Sequence, residues 1–282
     1  MLARVLEAEA RLLNWRARPN WLSSNMPFET DQQMRDRDKT LRNRARLRAN
    51  RNLLFWYSEL YRDQFKDLPD PAKLSILEIG SGTSPLKQFY PNIITSDVLD
   101  LNYLDLIFDC HEIDKLGAVK DNSLDVITLT NVLHHLKSPI TFLNSAADKL
   151  KCGGKVIATE PFFSLLSAPI WKHLHHEPVD FQISEPELME VQGPLTSANQ
   201  AVPWLIFFRR HDWLQRLNES FDVANLSARP FSALSYMATG GISHKLPVPH
   251  FLYRTLLPVD LAFSRCFPHV CAAFFTVTLT RR

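Results

Sequence analysis

A chain of 282 residues, 45% apolar and 22% charged, has the size and composition of a globular protein with one large domain and attachments. Its formal net charge of +2 excludes a chain built wholesale for nucleic acid and leaves only local patches for such a partner. Cys110, Cys152, Cys266 and Cys271 form no C-x-x-C pair, which argues against structural zinc and for free thiols in a reducing compartment.

No run of 18 uncharged apolar residues is present, so no transmembrane segment is expected. Arg4, Glu7, Glu9 and Arg11 break the apolar residues at the start, which is unlike a signal peptide, and a cytoplasmic address is expected. Residues 1–68 read as a helical, basic N-terminal extension. Its basic run is Arg35, Arg37, Lys39, Arg42, Arg44, Arg46, Arg48 and Arg51, relieved by Asp31, Asp36 and Asp38. Such a run serves either as a solvated helical face or as an arm for RNA, anionic lipid or an anionic substrate. From Leu53 the pattern turns aromatic (Phe55, Trp56, Tyr57, Tyr61, Phe65), as in a helix packing onto a core.

Residues 69–282 read as the main domain, beginning with an alternation of short apolar runs and helical patterns, the signature of a βαβ array. Strands are expected at 74–79, 92–96, 104–108, 124–130 and 155–159. Ser84-Pro85 and Ser138-Pro139 are expected to open helices. The second helix carries the stripe Leu143, Ala146 or Ala147, and Leu150, with Gly153-Gly154 as its stop. Two later strand-like runs lie at 221–227 and 272–280. Cap insertions are expected at about 162–220 and 240–270.

The chemistry begins after the first strand, at Glu78-Ile79-Gly80-Ser81-Gly82-Thr83. Gly80 and Gly82 lack the Cβ atoms that would keep a nucleoside away from the backbone, and a helix N-terminus follows them. Acids then close three successive strands. Glu78 can face an ammonium, Asp97 can accept from two ribose hydroxyls, and Asp109 can meet an adenine amino group. A strand-end acid alone often caps a turn; three in register are harder to assign to turns.

Leu77-Glu-Ile-Gly-Ser-Gly-Thr83, Ser96-Asp97, Phe108-Asp109, Asn122-Ser-Leu-Asp-Val-Ile127, Asn131-Val-Leu-His-His-Leu136, Leu150-Lys-Cys-Gly-Gly-Lys-Val-Ile157 and Glu160-Pro161 together resemble class I S-adenosylmethionine-dependent methyltransferases. The nearest likeness is to their quinone and small-molecule branch, and it covers residues 74–161. It implies an α/β fold: a Rossmann-like, seven-stranded, mostly parallel sheet with a reversed last strand. It also implies S-adenosyl-L-methionine held by Glu78, Gly80, Ser81, Gly82, Thr83, Asp97, Asp109, Cys110 and Asn131. The implied reaction is methyl transfer by in-line attack. One departure is that Ser84, followed by Pro85, replaces the usual third glycine.

A sulfonium methyl is already activated, so alignment does most of the work, and a base is needed only where the acceptor must lose a proton. His135, then His134 and Glu160, are the candidate catalytic residues. His173, His175, His176 and Glu177 form a metal-like set, but adjacent histidines on an irregular stretch read first as pocket or surface residues, and no metal is expected. Phe162, Phe163, Trp171, Phe181, Trp204, Phe207 and Phe208 suggest an apolar cap over the acceptor. That favours a small-molecule or lipid-like acceptor over nucleic acid. The segment 246–270, with Arg254 and Arg265, either packs on the domain, closes the pocket or rests on a membrane surface. Two rivals remain. A nicotinamide-dependent dehydrogenase would want glycine where Pro85 stands and no acid at position 78. A non-catalytic subunit would bind RNA or a protein through the basic extension.

Overall fold

The computed structural model describes residues 30–189, 193, 197–242 and 244–282. The helical reading of residues 1–29 lies outside them. Thr30 opens the first described helix, α1 (Asp31–Ala49), with a capping box: its side chain accepts from the Gln33 amide and the Gln33 side chain returns to the Thr30 amide. Asn50 closes α1 and caps α2 (Arg51–Phe65) by accepting from Leu53 N. Along α2, Leu53, Trp56, Tyr57, Leu60 and Tyr61 recur at i, i+3, i+4, i+7 and i+8, so one stripe is buried.

That stripe covers one face of a seven-stranded sheet. Its strands are β1 (Ile76–Ile79), β2 (Ile94–Asp97), β3 (Leu106–Ile107), β4 (Leu124–Thr130), β5 (Leu150–Pro161), β6 (Ser227–Phe231) and β7 (Phe274–Thr280). The order is β3-β2-β1-β4-β5-β7-β6. β1 to β5 pair in parallel, and β7 runs antiparallel between β5 and β6. Successive strand residues divide between the two faces: Ile76, Val126 and Ile157 pack with α2, while Leu77, Ile127, Val156 and Ala158 pack with the opposite layer. That layer contains α4 (Pro139–Lys149) and α6 (Ala201–Phe208), joined to the sheet by Leu143, Ala146, Val202 and Ile206. The connections from β1 and β4 diverge, so a crevice opens at the carboxyl ends of these two strands, where ligands bind in open α/β sheets.

The strand at 124–130 lies where the sequence places it; others shift. The run 221–227 is not the sixth strand. Phe221 makes only an isolated bridge to Arg281, Asp222 caps a short turn by accepting from Asn225 N, and β6 starts at Ser227. β6 contains Pro230, which an edge strand tolerates because one of its sides has no ladder to donate to. The Gly153-Gly154 pair does not stop α4, which ends at Lys149; the glycines sit in an irregular first half of β5, across a register shift between Leu124 and Val126. The helix after the glycine loop, α3 (Leu86–Phe89), is a single turn ended before Pro91.

The two expected caps also divide. Residues 162–220 contain α5 (Ser167–His173), α6 and α7 (His211–Gln215). In 240–270, α9 (His250–Cys266) packs Tyr253, Leu257 and Leu261 onto the α2 face, following α8 (Ser235–Ala238). Asp260 of α9 accepts from the amides of Ala233, Leu234 and Ser235 and pins the turn after β6. The opposite side of α9 leaves Phe251, Leu256, Val259 and Phe263 exposed. The last short helix, α10 (Pro268–Cys271), leads into β7, and all four cysteines are free. Among the described residues no helix is long and apolar enough to cross a membrane.

Candidate active site

The glycine loop is shaped by contacts that exclude side chains. Gly80 has φ +75°, and a Cβ there would lie 2.4 Å from Val132 Cγ2. A Cβ on Gly82 would lie 2.9 Å from Asp97 Oδ2, the atom that accepts the Gly82 amide at 2.9 Å. Asp97 Oδ1 accepts from Leu99 N, so the carboxylate at the end of β2 is fixed in two directions. From outside, Tyr103 donates to the Gly82 carbonyl at 2.6 Å. Arg44 of α1 donates to the carbonyls of Gly82 and Ser84 and stacks over Tyr103.

Glu78 lies under this loop. It accepts from Ser81 Oγ at 2.7 Å and Ser84 Oγ at 2.5 Å, and the Ser84 hydroxyl also meets Tyr61 and the Leu86 amide. The serine in the third glycine's place therefore ties the loop to α2. Burial pushes the Glu78 carboxyl up to about 7, against the pull of the Ser84 and Ser81 hydrogen bonds. From its ordinary 4.5 to about pH 7 the folded ligand-free protein holds a proton that the unfolded chain has released. Stability from this group is fully present below that window and falls as pH rises through it, by about 3 kcal/mol. Glu78→Gln is expected to gain on wild type by that amount between pH 4 and pH 8 in urea unfolding. An unchanged difference between the two proteins at both pH values contradicts the shift.

Loop and strand ends open into one cavity of about 1140 Å³. Gly80, Gly82, Thr83, Asp97, Asp109, Cys110 and Asn131 all line it; Glu78 and Ser81 do not, being turned beneath the loop. Asp109 is held by the His111 amide and ring, and that hydrogen bond lowers its pKa. Burial pushes the Cys110 thiol up, so it is a neutral wall group.

His134 and His135 also line the cavity. Glu160 does not reach it: the residue is fully buried and accepts from Val132 N at 2.9 Å, Leu133 N at 2.7 Å and His134 Nδ1 at 2.5 Å. It is a positioning residue, with no free face toward an acceptor. Glu177 faces both histidines, 3.2 Å from His134 Nε2 and 3.4 Å from His135 Nε2. Burial alone would lower the His134 pKa, but Glu160 and then Glu177 more than offset it and push it up to about 10. Burial would raise Glu177, yet the His134 and His135 hydrogen bonds hold it well below the usual carboxylate range. His175, by contrast, is brought down to about 4 by burial and is neutral. Of the sequence's metal-like set, His175, His176 and Glu177 line the cavity, and His173 is exposed elsewhere.

Some lining was not foreseen. Lys39, Asn43 and Arg46, about one helical turn apart on α1, line the cavity with Thr40 and Arg42. Gln200 reaches Glu177 at 2.9 Å from just before α6. Three buried polar atoms without a hydrogen-bond partner, Thr40 Oγ1, Asn131 Oδ1 and Gln200 Oε1, belong to residues that line this space. Buried polar groups are normally paired, so such orphans mark a place for ligand groups. Of the expected aromatic cap, only Trp171 lines the cavity. Phe163, Phe181 and Trp204 instead pack edge-to-face on one another, and Phe207 and Phe208 on Phe275, because α6 lies against β5 and β7.

A family model described as a methyltransferase domain matches residues 41–222, well over half of the chain. Among curated proteins none matches the sequence. Similar solved structures include an S-adenosylmethionine-dependent methyltransferase from Archaeoglobus fulgidus, 12% identical over 79% of this chain and 93% of that one, with a TM-score of 0.45. Another from Mesorhizobium loti is 12% identical over 79% and 97%, with a TM-score of 0.39. The phosphoethanolamine N-methyltransferase 2 of Haemonchus contortus is 11% identical over 80% of this chain and 52% of that one, with a TM-score of 0.39. The chain belongs to the methyltransferase domain family, whose class I members, resembled here from β1 to β5, take S-adenosylmethionine as methyl donor.

Proposed function

We propose that the chain transfers a methyl group from S-adenosylmethionine to a small-molecule or lipid-like acceptor held in the same cavity. One observation carries the reading: a single space is lined both by Gly80, Gly82 and Asp97 and by His134, His135 and Glu177. Its volume exceeds the roughly 300–1,000 Å³ of ordinary ligand pockets, which suits two ligands side by side. When bound, the cofactor supplies an activated sulfonium methyl.

The chain's own residues do the placing. Asp97 offers free lone pairs for two ribose hydroxyls, and Asn131 Oδ1 an unpaired acceptor for a donor group. Lys39, Arg42 and Arg46 supply positive charge for a carboxylate or another anionic group. Ile170, Trp171, Leu174 and Leu246 form an apolar wall, and Leu174 and Leu246 are exposed at its rim. Those rim leucines and the uncovered side of α9 support the lipid-like end of the range. The basic helix supports the methyltransferase over a non-catalytic RNA-binding subunit, because Arg44 is spent on the glycine loop and its neighbours on the cavity.

Calorimetry with S-adenosylhomocysteine tests the donor site, and transfer of tritium from methyl-labelled S-adenosylmethionine into polar and lipid extracts tests the acceptor. Micromolar binding and label in a small organic-soluble or aqueous product are expected. No binding at high micromolar ligand would sink the reading.

A further inference from the structure

We infer that His134, His135 and Glu177 form a binding site for one divalent transition-metal ion at the acceptor end of the cavity. The argument begins with ring nitrogens. His134 Nδ1 lies 2.5 Å from Glu160 Oε2 and donates to it. His135 Nδ1 lies 2.9 Å from the Ser197 carbonyl oxygen, which can only accept, so this nitrogen also carries a hydrogen. Both rings therefore turn Nε2 outward. Those nitrogens meet the two oxygens of one carboxylate: His134 Nε2 is 3.2 Å from Glu177 Oε2 and His135 Nε2 is 3.4 Å from Glu177 Oε1. Without a metal ion a hydrogen on His134 Nε2 bridges to Glu177; a divalent ion can displace it and take all three donor atoms, as metal binding to histidine ordinarily releases protons.

The spacing is that of ligands around one ion. Two bonds of about 2.0–2.1 Å at tetrahedral or octahedral angles set donor atoms roughly 3.0–3.4 Å apart. All the donor atoms of the trio lie within 4.8 Å of one another. The outer support is also that of metal-binding histidines, each of which gives its other N–H to a carboxylate or a carbonyl. Glu160, the partner of His134, is itself held by two backbone amides. Glu160 and Glu177 bring two negative charges into a largely buried space, which a divalent ion neutralises. Two imidazoles and a carboxylate suit zinc, iron, cobalt or manganese and leave coordination positions free on the cavity side.

Neighbouring groups do not compete. His175 Nδ1 is occupied by Gln200 Nε2 at 2.5 Å, and His176 stands 3.8 Å from Glu177 on the exposed side. The cluster Asp109, Cys110 and His111 is poorer, because His111 gives Nδ1 to Asp109 and accepts the Lys137 amide on Nε2. Metal binding itself is independent of the methyl-transfer reading. Its role rests on that reading: the ion would take an acceptor oxygen as a further ligand and fix it beside the donor.

The test uses the full chain stripped with EDTA, gel-filtered and titrated with zinc or cobalt chloride, with S-adenosylhomocysteine calorimetry run in parallel. One zinc per chain is expected for wild type. Glu177→Gln and His135→Ala should lose it while keeping S-adenosylhomocysteine binding. In the cobalt-loaded wild type, two solvent-exchangeable, paramagnetically shifted N–H resonances are expected, one from each Nδ1–H, a readout that does not depend on any variant folding. Wild type that binds S-adenosylhomocysteine but takes up no metal overturns the site and leaves the methyltransferase reading intact. Metal uptake without S-adenosylhomocysteine binding supports the site and sinks that reading. Equal zinc in wild type and Glu177→Gln, or no shifted N–H resonances, overturns the site by placing the ion elsewhere.

Discussion

Asp97→Ala is expected to weaken S-adenosylhomocysteine binding by roughly 150- to 25,000-fold, since two charge-assisted hydrogen bonds at about 1.5–3 kcal/mol each are lost. The carboxylate is well placed for them. Gly82 N and Leu99 N each take one lone pair and fix its plane at the end of β2, leaving the remaining lone pairs toward the cavity. Part of the loss would come from the loop, because the alanine also releases the Gly82 amide. Asp97→Asn separates the two contributions: its remaining oxygen can still hold Gly82, while its amide nitrogen cannot accept from a hydroxyl. Calorimetry on the two variants should rank wild type, asparagine and alanine in falling affinity. Alanine binding within threefold of wild type would remove Asp97 from the donor site.

The glycine-loop half of this cavity is largely legible in the sequence because it is local. A buried strand, two glycines and an acid at the next strand's end follow one another in the chain, and parallel pairing brings Ile79 beside Ser96. Glu78 was legible in position but not in direction. With a period of two, its side chain falls on the α2 face with Ile76, opposite Leu77 and Ile79, and the nearby hydroxyls of Ser81 and Ser84 capture it before the cavity can. The histidine half depends on long-range contacts. Glu177 reaches His134 and His135 across 43 and 42 residues of chain, by subtraction of their numbers, and nothing periodic announces that approach. The basic helix was ambiguous for the same reason: a run of arginines does not reveal which side of α1 faces Gly82 and which faces water. The sixth strand lies beyond the apolar run at 221–227, in a segment whose Pro230 only an edge position makes harmless.

Glu160→Ala is expected to cost roughly 3–5 kcal/mol of folding stability, the range for breaking a buried charged pair by removing one partner. The substitution strands three donors that have no water to turn to: the amides of Val132 and Leu133 and the His134 ring. These groups form the turn after β4 that carries both cavity histidines and, through Val132, packs on Gly80, so the loss falls first on the histidines. Glu160→Gln behaves differently. Its oxygen can serve the two amides, but its nitrogen presents N–H to His134 Nδ1 and forces the ring to accept there, moving the hydrogen to Nε2. The glutamine variant should therefore retain most of the stability, keep S-adenosylhomocysteine binding, and bind zinc about 10- to 100-fold more weakly, as expected when an outer partner of a ligand histidine is lost. Urea unfolding at pH 7 and zinc titration measure the two effects separately. If the alanine variant unfolds within 1 kcal/mol of wild type (about the value of one ordinary hydrogen bond), the turn does not depend on Glu160. If the glutamine variant binds zinc as tightly as wild type, the hydrogen on His134 is not set by Glu160.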